Sequence, residues 1–325
     1  MQGSAEEAVV TQVIRVSQTR SVTVDSLGDP KGFPVFLLHG TPGSRNGPVP
    51  RASVLYRLGV QLVCYDRPGY GGSDRDIGRT VASAANDVRA IADALGLDTF
   101  GVIGRSGGGP HALACAALIS QARLRSVAVL VGLAPSDAED LDWFNGMADS
   151  NVDEYELATL SEDDSAAEEA VAADLTYRAD KIRENPEILL SDLEEEMSHP
   201  DIRIVTDVGI RRQLTRTYRE ALKYGAYGWI DDVLAFRRPW GFDLETIKIP
   251  VLLWHGEEDV FSPADHSRWL SNHIPTATIE VQEGMAHFGA VEILPKLLAR
   301  MKAESTANPV LLQEPADGTT TDELA

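Results

Sequence analysis

Cysteine is nearly missing from these 325 residues; there are two, Cys64 and Cys115. Each lies in an apolar run, so the pair reads as two buried thiols rather than a disulfide or a metal site. Basic residues are also scarce, with 29 Lys and Arg against 50 Asp and Glu and a formal net charge of −21. That deficit argues against nucleic acid as a partner, because phosphates would be repelled. No run of about 18 apolar residues occurs, so no membrane-spanning helix is expected. The opening Met1-Gln2-Gly3-Ser4-Ala5-Glu6-Glu7 has neither the basic start nor the apolar core of a secretory leader, which makes a cytoplasmic location the expectation. A Gly-Lys-Ser/Thr phosphate loop is absent. Gly104 and Gly107 lack the glycine at 102 that a dinucleotide fingerprint would need, so no cofactor is called for. His266 and His273 have no third ligand at suitable spacing, and no metal is expected.

What is present centres on Gly104-Arg105-Ser106-Gly107-Gly108. An apolar run, Phe100 to Ile103, precedes it, and an Ala/Leu-rich helical run, Pro110 to Ile119, follows. A strand that turns sharply into a helix strains the turn residue and needs small neighbours on both sides. The turn then holds a hydroxyl at the top of a sheet with a helix N-terminus behind it. The motif alone is short enough to arise by chance, so its partners decide its meaning.

A serine hydroxyl is a poor nucleophile at neutral pH; it needs a base, a group that orients the base, and donors for the oxyanion. The run Ile249 to Trp254 reads as a strand and is followed by His255-Gly256-Glu257-Glu258-Asp259. Asp259 therefore follows a strand's C-terminal end, where α/β sheets place their chemistry. From the residues alone it competes with Glu257, Glu258 and Asp137 as the orienting acid. A second strand, Thr278 to Val281, leads into Gly284-Met285-Ala286-His287, which makes His287 the candidate base. Phe33 to Leu38 reads as a buried strand running into His39-Gly40-Thr41-Pro42-Gly43. The N–H groups of Thr41 and of Gly107, the residue after the serine, are the candidate oxyanion donors.

These motifs, together with Asp66-Arg67-Pro68-Gly69-Tyr70-Gly71-Gly72-Ser73, resemble those of the α/β-hydrolase superfamily over roughly residues 33 to 290. The likeness is to cap-bearing serine hydrolases of the proline-iminopeptidase and haloperoxidase-like kind. Thr41 stands where the iminopeptidase pattern has a second glycine, so peptidase activity is not carried over. The resemblance implies an α/β fold with a mainly parallel eight-stranded sheet flanked by helices and an inserted helical cap. It places the acid at Asp259. It also implies cleavage of an ester or amide of a small-molecule or peptide-like substrate. A lyase, epimerase or macrocyclase on the same scaffold, or an N-terminal aminopeptidase, is the alternative. Monomer and dimer are both open.

Strands alternate with helical patterns up to about residue 135 and again from 241, while helical patterns dominate between. The expected division is an α/β core at 1–135 and 241–302, a helical cap at 136–240 and a disordered tail at 303–325. Helices are predicted over Glu168 to Arg183, Pro186 to Met197 and Asp201 to Lys223. Residues 137–196 hold 21 acidic residues against three basic ones, Arg178, Lys181 and Arg183. Arg212, Arg216, Arg219 and Lys223 recur at helical spacing, with two readings. They answer the acidic half in surface ion pairs, or the acidic lobe draws in a cationic substrate such as a free amine. Of the cap aromatics, Trp143, Tyr155, Tyr227 and Trp229 are the expected pocket residues. His266 reads as a solvated helix residue and His111 as pointing away from Ser106. His39 and Arg67 read as structural groups closing the loops beside the site.

Overall fold

The computed structural model describes residues 9–159 and 164–307. The sheet has eight strands, β1 (Val10–Arg15), β2 (Ser21–Gly28), β3 (Phe33–Leu38), β4 (Val60–Tyr65), β5 (Phe100–Arg105), β6 (Leu124–Leu130), β7 (Val251–Gly256) and β8 (Ala277–Gln282). Their spatial order is β1-β2-β4-β3-β5-β6-β7-β8. The first two pairings, β1 with β2 and β2 with β4, are antiparallel, and all others are parallel. Parallel strands are covered on both faces, and β3 to β6 are accordingly near-continuous apolar runs.

The period of two along a strand sorts its residues into two cores. Val35 and Leu37 pack on one face with Leu55 of α1 (Ala52–Leu58) and with Leu294, Leu297 and Leu298 of a long C-terminal helix. Phe36 and Leu38 pack on the other face with α2 (Ala84–Ala94) and α3 (Gly108–Leu118). The crossover from β3 to β4 thus lies on one face and that from β4 to β5 on the other. The reversal leaves a crevice beyond the C-terminal ends of β3 and β5, where open α/β sheets bind their ligands.

Between β6 and β7 come α4 (Asp149–Leu157), α5 (Asp164–Glu184), α6 (Glu187–Glu196), α7 (His199–Val205), α8 (Val208–Ala221) and α9 (Tyr227–Phe236). No strand occurs among the described residues of this interval. The single helix expected over 201–223 is broken in two. Asp207 ends the first piece and caps the second, its side chain accepting from the Ile210 N–H. The lobe meets the core through the loops beyond β4, since Gly228 N–H donates to Gly69 O and Gly71 N–H to Ala221 O. The core closes with α10 (Ala264–His273) and α11 (Gly289–Ala307). That last helix runs past residue 302, into the stretch read from sequence as tail; residues 308–325 lie outside those described. Both cysteines are free and buried. No helix among the described residues is long and apolar enough to cross a membrane.

Candidate active site

Ser106 sits at φ 53°, in the left-handed region that a residue with a Cβ rarely occupies. Such a conformation costs on the order of 1–3 kcal/mol and persists where its surroundings over-determine it. Here Ser106 N–H donates to Leu130 O at 2.8 Å, and Ser106 O accepts from Gly109 N–H at 2.7 Å. A side chain at Gly104 would run into the Gly108 carbonyl, and one at Gly108 into the Leu38 carbonyl. Glycine at both positions lets the turn close between β5 and α3.

His287 follows β8 and holds its Nδ1 against both oxygens of Asp259, at 2.9 and 3.1 Å. With Nδ1 engaged, Nε2 is the nitrogen left for Ser106, and both side chains line one cavity. Asp259 is itself locked. Its Oδ1 accepts from the N–H groups of Phe261 and Ser262, and His255 Nε2 lies 3.2 Å from its Oδ2. Burial pushes the Asp259 pKa up, but His287 and the hydrogen bonds from both histidines outweigh it and hold the carboxyl well below its usual range. Burial pushes the His287 pKa down, and Asp259 reverses it, leaving the imidazole above its ordinary value. The structure thus brings Ser106, Asp259 and His287 to one place.

Thr41 and Gly107 are also neighbours, because a side chain at Gly107 would collide with the Thr41 side chain. Neither N–H finds an acceptor among the described residues. The Thr41 hydroxyl donates to Asp232 Oδ2 and accepts from Arg67 Nη2 at 3.0 Å. Asp232, on α9, is the centre of a buried knot. It also bonds Arg67, Arg79 Nη2 (2.6 Å), the Tyr70 hydroxyl (2.8 Å) and His111 Nε2 (3.2 Å). Burial alone would raise its pKa, yet Arg67 and Arg79 drive it well below the ordinary value. Burial likewise lowers His111 to about 4. Arg67 Nη1 donates to His39 O, and its backbone N–H donates to His39 Nε2 at 3.1 Å. One carboxylate of the helical lobe therefore clamps the turn that carries Thr41. The signal in the sequence was an acid pair, Asp231-Asp232, inside an otherwise apolar helix, where an acid needs a partner.

The cavity measures about 100 Å³. Tyr155 and Trp229 line it; Trp143 and Tyr227, expected on its wall, do not. Trp143 is buried against Phe144, Tyr155 and His266, with Nε1 donating to Ala134 O. Tyr227 is 49% exposed and stacks under Arg75. His266 is not solvated either. It is buried, its Nδ1 accepting from Ala134 N–H and its Nε2 facing Trp143 O, and burial lowers its pKa to about 4. The ion pairs from α8 to the acidic segment run through Arg211, to Glu187 and Glu194, rather than through the four basic residues expected; Lys223, just beyond the helix, pairs with Glu220. Arg216 instead reaches Asn46.

Two wall residues and one group behind them escaped the reading of the sequence. Glu154 of α4 accepts from Trp229 Nε1 at 2.8 Å and from Arg178 Nη1 at 3.0 Å. Arg105 lines the cavity from within the serine motif itself. A third group, Asp201 of α7, lies just behind the wall. It is fully buried, and its two oxygens accept from the N–H groups of His287 (3.1 Å) and Phe288 (2.7 Å). Burial raises Asp201 to about 6. Nothing in its local sequence marked it, since Ser198-His199-Pro200-Asp201 reads as an ordinary helix start.

A mostly parallel sheet ending in loops that carry a serine, an acid and a histidine, in that chain order, is the arrangement of α/β hydrolases. Residues 34–292 match the model of the alpha/beta hydrolase fold family, and the chain belongs to it. It is 29% identical over 255 residues to a putative carbamate hydrolase, RutD, of Caulobacter sp. (strain K31), covering 78% of this chain and 83% of that protein. It is 24% identical over 267 residues to 2-hydroxymuconate semialdehyde hydrolase of Pseudomonas putida, covering 81% and 83%. The solved esterase EaEST of Exiguobacterium antarcticum superposes with a TM-score of 0.67 at 20% identity, over 90% of this chain and 100% of that one. That last likeness is one of fold.

Proposed function

We propose that the protein is a serine hydrolase that cleaves an ester or amide bond of a small molecule through an acyl-enzyme. The observation that carries this is His287, tied through Nδ1 to buried Asp259 and opening on the same cavity as Ser106. Ser106 Oγ attacks the acyl carbonyl while His287 Nε2 takes its proton. The N–H groups of Thr41 and Gly107 hold the developing oxyanion, and His287 returns the proton to the leaving group. Water activated by the same imidazole then releases the acid. Asp259 stays ionised throughout and stabilises the imidazolium. The name of one relative, a putative carbamate hydrolase, supports acyl chemistry. The helices between β6 and β7 act as a cap that supplies one wall of the cavity.

A fluorophosphonate probe followed by a panel of acyl esters and amides tests the reading. Wild-type protein is expected to be labelled at Ser106 and to turn over at least one ester class. Ser106→Ala is expected to lose labelling and to lose on the order of 10⁶-fold in kcat. Undiminished labelling of Ser106→Ala would refute the assignment.

A further inference from the structure

Besides His287, three charged side chains line the cavity: Arg105, Arg178 and Glu154. Arg178 and Glu154 answer one another. Arg105 is left over. Its Nη1 makes one long bond, 3.3 Å, to the neutral carbonyl of Pro48, and no carboxylate meets it among the described residues.

Arg237, another partly buried arginine with no carboxylate bonded to it among the described residues, lies instead over the rings of Trp143 and Phe144. Arg20, Arg45, Arg67, Arg75 and Arg79 are each given a carboxylate within 3 Å. The arginine beside the candidate nucleophile is not. Partly buried guanidinium groups without a counter-ion are costly, and a guanidinium cannot shed its charge to escape the cost. Its surroundings keep room for it. A side chain at Gly47 would stand 3.0 Å from Arg105 Nη2. Across the cavity wall, the Tyr218 hydroxyl of α8 also lacks a protein partner among the described residues, and the Arg105 charge acts on it. A cation and a hydroxyl therefore face the same cavity with donor capacity unused. A planar guanidinium matches a carboxylate in geometry and charge.

We propose that Arg105, assisted by the Tyr218 hydroxyl, binds a carboxylate of the substrate, so that Ser106 acts on an ester or amide whose molecule also carries a carboxylate. The identity of the bond cleaved rests on the serine-hydrolase reading; the anion site does not. Because Arg105 directly precedes Ser106, the anion lies within one side chain's reach of the reacting carbonyl. The acidic lobe then has no part in substrate attraction, and a cationic amine finds no free carboxylate on the wall, since both oxygens of Glu154 are engaged.

Two substrate pairs separate the acyl side from the leaving side. One is 4-nitrophenyl hydrogen adipate with its methyl ester, and the other is 4-carboxyphenyl pentanoate with its methyl ester. On one pair the free acid is expected to exceed its methyl ester by about 10–100-fold in kcat/KM, chiefly through KM. Arg105→Gln is expected to collapse that ratio, and Arg105→Lys to keep part of it. Binding is read separately by calorimetry of adipate with the Ser106→Ala protein, with and without Arg105→Gln. Equal use of acid and ester in both pairs overturns the proposal. If no ester is cut at all, the calorimetry decides. Arg105-dependent adipate binding upholds the anion site and removes the hydrolase reading, whereas no adipate binding overturns the anion site.

Discussion

The core side of the cavity and the helical side hold their polar groups in different ways. On the core side, Ser106, Thr41, Asp259 and His287 each stand in a short loop directly behind a strand, and the acid among them is fixed largely by near neighbours in sequence, namely His255, Phe261 and Ser262. On the helical side, Asp201 and Asp232 are fixed by His287 and Arg67 of the core, 86 and 165 residues away, while Glu154 joins Trp229 and Arg178 within the lobe. The difference separates two jobs. Under the proposed mechanism the groups behind the strands serve the chemistry, while Asp201 and Asp232 join the helices to the core. Replacing the first kind should cost rate with little loss of stability, and replacing the second should cost stability first.

Asp259→Asn tests the core side and carries the largest expected effect. An amide cannot fix the imidazole tautomer, so kcat is expected to fall by about 10⁴-fold at the pH plateau. The sign of the pH effect follows from charge. Ionised Asp259 stabilises the imidazolium and holds the His287 pKa above its ordinary value. Without it the pKa falls, and the acidic limb of kcat/KM moves to lower pH. A limb that moved to higher pH would remove Asp259 from its assigned role. Urea unfolding should change little by comparison.

Asp232→Asn tests the helical side. It leaves Arg67 and Arg79, 1% and 2% exposed at the side chain, facing each other without the buried carboxylate between them. Breaking a buried ion pair from one side costs about 3–5 kcal/mol, which the midpoint of urea unfolding reads directly. Rate should suffer second, through the loss of the Thr41 hydroxyl's acceptor. A variant of wild-type stability with a collapsed kcat would erase the distinction between the two sides.

The same distinction explains what could be read from the sequence. The strands behind Thr41, Ser106, Asp259 and His287 were legible, with the serine turn and the loops that follow, because each is a local strand-like pattern followed by small or polar residues. Trp143 and Tyr227 were misplaced because an aromatic residue on a helix carries no local sign of which way its ring faces. The unbroken helix expected over 201–223 failed at Asp207, where a cap competed with the periodicity. His266 looked solvated, yet it packs beneath Trp143, a contact between segments 123 residues apart. Arg105 was overlooked for a different reason. As the variable residue of the serine motif it drew no weight, and only the absence of an acid near it in three dimensions gives it meaning.

Asp201 tests the boundary itself, because it belongs to the helical side yet grips the backbone of His287. As Asp201→Ala it orphans two buried N–H groups, and about 1–3 kcal/mol of stability should go with them. As Asp201→Asn it keeps an acceptor for one of the two and removes the charge. Burial lowers the His287 pKa most, Asp259 and Asp201 raise it, and Arg105 lowers it. Removing the weaker of the two acids should move the acidic limb of kcat/KM to lower pH by less than Asp259→Asn does, with kcat at the plateau nearly intact. Arg105→Gln should move the limb the opposite way. An Asp201→Asn profile that overlaid the wild type while stability fell would make Asp201 a docking group alone, and the boundary between the two sides would then run between Asp201 and His287.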